Sequence, residues 1–101
     1  MPKQVELYVP LAYNDGTIID PNTLRDEENF LSERFGGVSI IPNVRGRWYR
    51  DGAIQRECIE IWRIIVDEYD PSWWSGYKVR ARNMYEQEDF LIVVSDVGLI
   101  L

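Results

Sequence analysis

The sequence predicts an α+β domain, and three observations carry that prediction. Segments with apolar residues at every second position alternate with two segments of helical period. Each helical segment opens on an Asp-Pro pair, and the first closes on Gly36-Gly37. Between the helices, Asp51-Gly52 divides one long β-rich stretch into two strands.

The first strand is expected over Val5–Ala12. Val5, Leu7, Val9 and Leu11 share one side of it; Glu6, Tyr8, Pro10 and Ala12 share the other. Asn14-Asp15-Gly16 then marks a turn. In "DPNTLRDEENFLSERFGG", Asp20 is placed to cap a helix and Pro21 suits its first turn, while Thr23 with Asp26 offers a second cap. Asp26, Glu27 and Glu28 are read as charges favoured near the helix N-terminus by the macrodipole. Leu24, Leu31 and Phe35, with Phe30 alongside, form the apolar face, and the glycine pair ends the helix.

"GVSIIPNVRGRWYR" is the second strand, and Pro42, which cannot donate to a ladder, demands a bulge, an edge or a bend. Charge suggests the register. A two-residue loop at Asp51-Gly52 sets Arg47 against Arg56, a repulsive pair. A three-residue loop, Asp51-Gly52-Ala53, sets Arg47 against Glu57 and Tyr49 against Gln55, and is the expected form. The third strand, within "IQRECIEIWRIIVDEY", has Ile59, Ile61 and Ile65 on one side and Cys58, Trp62, Ile64 and Val66 on the other. "DPSWWSGYKVRARNMYEQED" gives the second helix, capped by Asp70 or Ser72, with Trp74, Tyr77, Ala81 and Met84 on its apolar face. Gly76 weakens it by about 1 kcal/mol relative to alanine. "DFLIVVSDVGLIL" begins as the last strand, and its final six residues are expected to turn away and pack elsewhere.

The order βαββαβ is that of ferredoxin-like domains: a four-stranded antiparallel sheet with both helices on one face. A single domain is expected over residues 1–101. A sheet wet on one face should alternate more cleanly than the third strand does. Self-association through the open face is therefore expected, with Trp62 and Trp73 as interface residues. Adjacent tryptophans on a helix point about 100° apart, so Trp74 is assigned to the core and Trp73 to the surface.

Composition narrows the function. The chain has no histidine, which excludes Ser-His and Cys-His nucleophile pairs and histidine-ligated zinc within one chain. Non-catalytic binding is thus favoured over catalysis, and no cofactor or metal is expected. A single cysteine, Cys58, fits a reducing compartment and is read as a buried, inert thiol. Met1-Pro2-Lys3-Gln4 leads into a short apolar run, not a cationic start and a long apolar segment, so a cytoplasmic location is expected. No apolar run approaches the ~20 residues of a membrane span.

The net charge is −6, yet Arg34–Glu57 holds five arginines against two acids, a local +3 that leaves −9 elsewhere. On the second strand Arg45, Arg47 and Tyr49 share a face, and Arg56 returns on the third. These four are the candidate ligand-binding residues: arginines to grip a small anion, Tyr49 to stack on it. The plainer reading is a solvated ribbon with cross-strand ion pairs worth about 0–1 kcal/mol each. Nucleic acid is the least favoured ligand, because the overall charge is acidic and the third strand carries Glu57 and Glu60 in place of stacking aromatics. "VDEYD" and "YEQED" are acidic segments whose oxygens would suit Mg²⁺ or Ca²⁺ if they met at one end of the domain, although acidic loops at strand ends are usually solvated. They leave two further readings open, a small acidic regulator that docks on a basic protein and an enzyme built on carboxylates and arginines.

"FLSERFGGVSIIPNVRGRWYRDGAIQRECIEIWRIIVDE", a tryptophan-bearing helix and "YEQEDFLIVVSD" together resemble a set of small bacterial proteins without an assigned function. In these a helix ends in Phe-Gly-Gly, and Gly-x-Trp, a turn, a long strand, a helix and a Gln-Glu-led strand follow. The resemblance spans about Phe30 to Val94 and implies the same βαββαβ topology; it carries over no site residue.

Overall fold

β1 (Lys3–Pro10), α1 (Pro21–Phe35), β2 (Ser39–Arg50), β3 (Ala53–Val66), α2 (Pro71–Met84) and β4 (Ile92–Asp96) follow one another in the computed structural model, which describes residues 1–100. The strands form one sheet in the order β2-β3-β1-β4, and every neighbouring pair is antiparallel. This is the ferredoxin-like arrangement.

Both helices begin as their sequences dictate. The Asp20 carboxylate accepts the Asn22 N–H ahead of Pro21, and the Asp70 carboxylate accepts those of Ser72 and Trp73 ahead of Pro71. Gly36 ends α1 in the left-handed conformation (φ 91°), its N–H donating to the Ser32 carbonyl. The acidic triplet of α1 sits too far along for the dipole role expected of it, because no acidic residue lies in the first turn. Glu27 is instead buried, accepting the Tyr77 hydroxyl at 2.9 Å and an Arg80 N–H at 2.9 Å. The Tyr85 hydroxyl is buried without a hydrogen-bond partner among the described residues. Burial first, then the charge of Glu27, pushes the Tyr85 phenol well above its ordinary range.

Val5, Leu7 and Val9 of β1 and Trp62, Ile64 and Val66 of β3 project to the same side and pack with Leu31, Trp74, Tyr77 and Ala81 of the helices. Both helices therefore cover one face. Trp62 is fully buried there, its indole N–H satisfied by Glu60 at 3.0 Å. The expectation that Trp62 serves as an interface residue is thus corrected: the strand's alternation directs it under its own helices, and the isoleucines take the open side.

That open side has a cross-strand apolar row. Tyr8 pairs with Ile61, and Ile61 with Ile41; all three are half-buried, with buried Ile59 and half-buried Val44 one step further on. Glu6 and Arg63, paired in register, form an ion pair at 3.0 Å beside the row. After β4, residues 97–100 carry no regular structure and Ile100 is fully exposed, so the expected repacking of this end is not seen among the described residues.

Pro42 sits where β2, an edge strand, bulges. Ile41 pairs with Ile61 and Val44 with Ile59, so Pro42 and Asn43 together oppose Glu60. Asn43 takes φ 59° to do so. Past the bulge the hairpin runs beyond the end of β1, whose last pair is Pro10 with Ile59. The result is a projecting two-stranded arm, and the molecule measures 43 × 30 × 26 Å.

The arm's turn overrides the charge argument. Arg50 pairs with Ala53, leaving a two-residue loop in which Asp51 (φ 51°) and Gly52 (φ 77°) are both left-handed. That geometry matches the strand twist, and Asp-Gly is well suited to it. Arg47 therefore faces Arg56, and Tyr49 faces Ile54. The repulsion is tolerated because both guanidinium groups are exposed to water, where Coulomb energies are small.

Candidate functional site

At the root of the arm, on the open side of the sheet, lies a cleft of about 350 Å³. Tyr8 and Pro10 of β1, Ile59 of β3 and Phe90 of the α2–β4 loop form its apolar lining, with Trp48 and Glu57 on the arm side. The Tyr8 N–H bonds to the Leu91 carbonyl at 3.1 Å, which ties the loop to β1. Phe90 is buried and stacks on Tyr85, with centroids 5.7 Å apart.

The Gly-x-Trp pattern acquires a physical meaning here. Gly46 and Trp48 project on the same side, and Gly46 is the register partner of Glu57. The indole folds back over Gly46, where a Cβ would lie 3.1 Å from its nitrogen, and donates its N–H to the Glu57 carboxylate. A side chain at position 46 would make the ring give way by a few tenths of an ångström.

Charge around the cleft is mostly cancelled. Arg50 near the arm tip pairs with Glu88 of the loop at 2.9 Å, bridging the cleft's mouth. Lys78 pairs with Asp89 at 3.1 Å, and its hydrogen bond, with one from the Phe90 N–H, holds the Asp89 carboxyl below the usual carboxylate range. Among the described residues, Glu57 has no cationic partner within 4 Å and is the carboxylate left uncompensated at this site.

The residues expected from sequence occupy the opposite side of the ribbon. Arg45 faces Cys58, Arg47 faces Arg56, and Tyr49 faces Ile54. All are exposed, Tyr49 by 79%, and no ion pair involves Arg45, Arg47 or Arg56 among the described residues. The register thus gathers the three arginines on one face, and only Tyr49 also borders the cleft. Cys58 is exposed, contrary to its expected burial, because the helices stop short of the arm. The two acidic segments do not meet. They flank α2 at opposite ends, about 21 Å apart along its 14 residues.

Sequence reasoning missed Trp48, Glu57, Tyr8 and Phe90 as neighbours. The available signal was Gly46-x-Trp48 followed by an acid on the returning strand, and the three-residue loop put Glu57 against the wrong partner. Three or more converging His, Cys, Asp or Glu side chains suited to a metal ion do not occur among the described residues.

No protein-family profile and no curated sequence matches the chain. Solved structures do match. The divalent cation tolerance protein CutA1 of Thermus thermophilus superposes with a TM-score of 0.69 at 14% identity, over 100% of this chain and 88% of that one. CutA1 of Oryza sativa gives 0.66 at 15% identity, over 99% and 83%. A phage SAM lyase in complex with S-methyl-5′-thioadenosine gives 0.65 at 18%, over 94% and 81%. The likeness is one of fold. It extends over nearly the whole chain.

Proposed function

We propose that this chain is a binding module that self-associates through the open face of its sheet and takes a small ligand at its arm, without catalysis of its own. The observation that carries this reading is the apolar row Tyr8–Ile61–Ile41, uncovered by either helix and running into the aromatic cleft. An uncovered apolar row of this kind is the usual mark of an interaction surface. A homodimer or larger assembly follows, and light scattering at high micromolar concentration should show a multiple of 11.9 kDa. A clean 11.9 kDa species would remove the assembly, and Ile61→Lys should produce that species from a larger one.

The ligand reading has two parts. Arg45, Arg47 and Arg56, with Tyr49, are the proposed contact for an anion, since three guanidinium groups without ion-pair partners among the described residues share one face. The cleft is the proposed seat for an apolar or aromatic body, with Glu57 fixing its polar edge. A thermal-shift series of phosphates, nucleotides and carboxylates tests the first part; a saturating ligand at a hundredfold excess over Kd stabilises by roughly 2.7 kcal/mol. Interior placement in the cytoplasm fits an exposed thiol with no second cysteine in the chain to oxidise with.

An enzyme centred on Glu57 is the second reading. It is favoured by a carboxylate in an aromatic-walled cleft, on a fold that in the phage lyase accompanies S-methyl-5′-thioadenosine. That nucleoside is the probe of choice. It should raise the thermal midpoint of the wild-type chain but not of Trp48→Ala, which removes the indole from the cleft's lining. Binding that survives in Trp48→Ala would remove the cleft from both readings. Turnover of a SAM-type substrate, lost in Glu57→Gln, would select the enzyme.

A further inference from the structure

A second trough, of about 310 Å³, lies between α1 and α2 on the far side of the sheet from the arm's cleft. Phe30 and Trp73 form its walls, with ring centroids 6.4 Å apart and planes within 19° of parallel. Tyr77 and Gly76 contribute the floor. The aromatic array behind it continues into the core: Trp73 packs edge-on against Trp74 at 4.7 Å and Tyr77 at 5.5 Å, and against Phe35 at 5.1 Å. Trp74 and Tyr77 are buried and account for the array's structural work. Phe30 and Trp73 extend it to the surface, where Phe30 remains 37% exposed.

Gly76 is the informative position. It lies inside α2, where glycine costs about 1 kcal/mol relative to alanine. It does not have a positive φ, and a Cβ added there would meet nothing within 4 Å. Neither backbone conformation nor packing within the chain requires a glycine. Its effect is to leave that part of the trough's lining free of a side chain.

Two guanidinium groups stand at the trough, Arg80 in its lining and Arg34 beside it against Trp73. Arg80 lies over the Phe30 ring, 4.6 Å from its centroid, and is held there by one bond to buried Glu27 at 2.9 Å. Arg34 lies over Trp73 at 4.4 Å and has no ion-pair partner among the described residues. Glu27 is already shared between Arg80 and Tyr77, so these two cations are met by one carboxylate among the described residues. A guanidinium has five donors in a fork that matches a carboxylate.

We infer that the trough between α1 and α2 is a binding site for a small planar aromatic acid, its ring packed on Phe30 and Trp73 above Gly76 and its carboxylate received by Arg34 and Arg80. The site stands apart from the arm and does not depend on the reading given for it.

Titration of the ¹⁵N-labelled chain with indole-3-acetate, and separately with indole-3-acetamide, tests this. The acid should shift the amides of Phe30, Ser72, Gly76 and Arg80 saturably and bind at least fivefold tighter than the neutral amide. Gly76→Leu should abolish those shifts while leaving the thermal midpoint equal or higher, because leucine is the better helix former. Gly76→Ala, which adds one methyl in open space, should keep the fold and weaken binding. Arg34→Gln should reduce the preference for the acid. Equal binding of acid and amide, unsaturable shifts, shifts confined to the arm, or undiminished binding by Gly76→Leu would each overturn the inference.

Discussion

The two halves of β3 are one continuous strand in two environments. Ile59–Val66 alternates under the helices and buries Trp62, Ile64 and Val66. Ala53–Cys58 continues the same strand with every residue exposed. Composition follows the change: Gln55, Arg56 and Glu57 replace the isoleucines, which keeps a lone ribbon solvated. What differs is the cover, since the helices and β1 end at about Ile59. An isolated hairpin is marginal in water. The arm is therefore held by local devices, namely its turn, the Trp48–Glu57 bond and the Arg50–Glu88 bridge, and the body by burial.

This contrast can be broken at either end. In the body, Trp62→Ala removes a fully buried indole and should cost about 3–5 kcal/mol, read as a fall in the denaturation midpoint for the whole chain. In the arm, Gly52→Ala forces an L side chain into left-handed backbone and should cost about 1–2 kcal/mol. Amide exchange should place that loss within residues 46–57 and leave the body protected; a uniform loss of protection would mean that arm and body unfold as one. Arg56→Glu turns a repulsive facing pair into an attractive one and should stabilise the arm by about 0.2–1 kcal/mol. The same change should abolish anion-induced thermal shifts, so stability and binding would move in opposite directions.

The smallest effect concerns pH. The Lys78 hydrogen bond holds the Asp89 carboxyl below its ordinary value of 3.8. The native pKa being the lower one, Asp89 contributes its full stability above that ordinary value and loses it as pH falls through the depressed one. Lys78→Met should bring its titration, followed by carboxyl ¹³C shifts, part of the way back, because the Phe90 N–H still donates to it.

Much of the fold was legible because local rules and global packing agree. Asp20-Pro21 and Asp70-Pro71 start the helices, Gly36 stops the first, and Pro42 marks the bulge. The hairpin register was not legible from charge, because facing arginines in water repel weakly while the turn's dihedral demands are steep. Glu27 was hidden for another reason. Its partners Tyr77 and Arg80 stand some fifty residues away, and beside Asp26 and Glu28 it reads as one more surface acid. Alternation alone placed Arg45, Arg47 and Tyr49 on one face, and Arg56 joins them only through the two-residue turn that the charge argument missed. The cleft was not legible, since Tyr8, Trp48 and Phe90 come from three separate elements.

The supernumerary residue at Pro42-Asn43 carries a last consequence. Side chains on a strand obey a parity, and one extra residue inverts it for everything downstream. Because of it the even-numbered Val44, Gly46 and Trp48 lie on the same side as odd-numbered Ile41, with Arg45 and Arg47 on the other. Removing Asn43 would close the bulge, leave Pro42 alone opposite Glu60, and keep every later residue with its present partner and side. The arm's two chemistries are thus set from the turn inward, and the bulge absorbs the one residue left over.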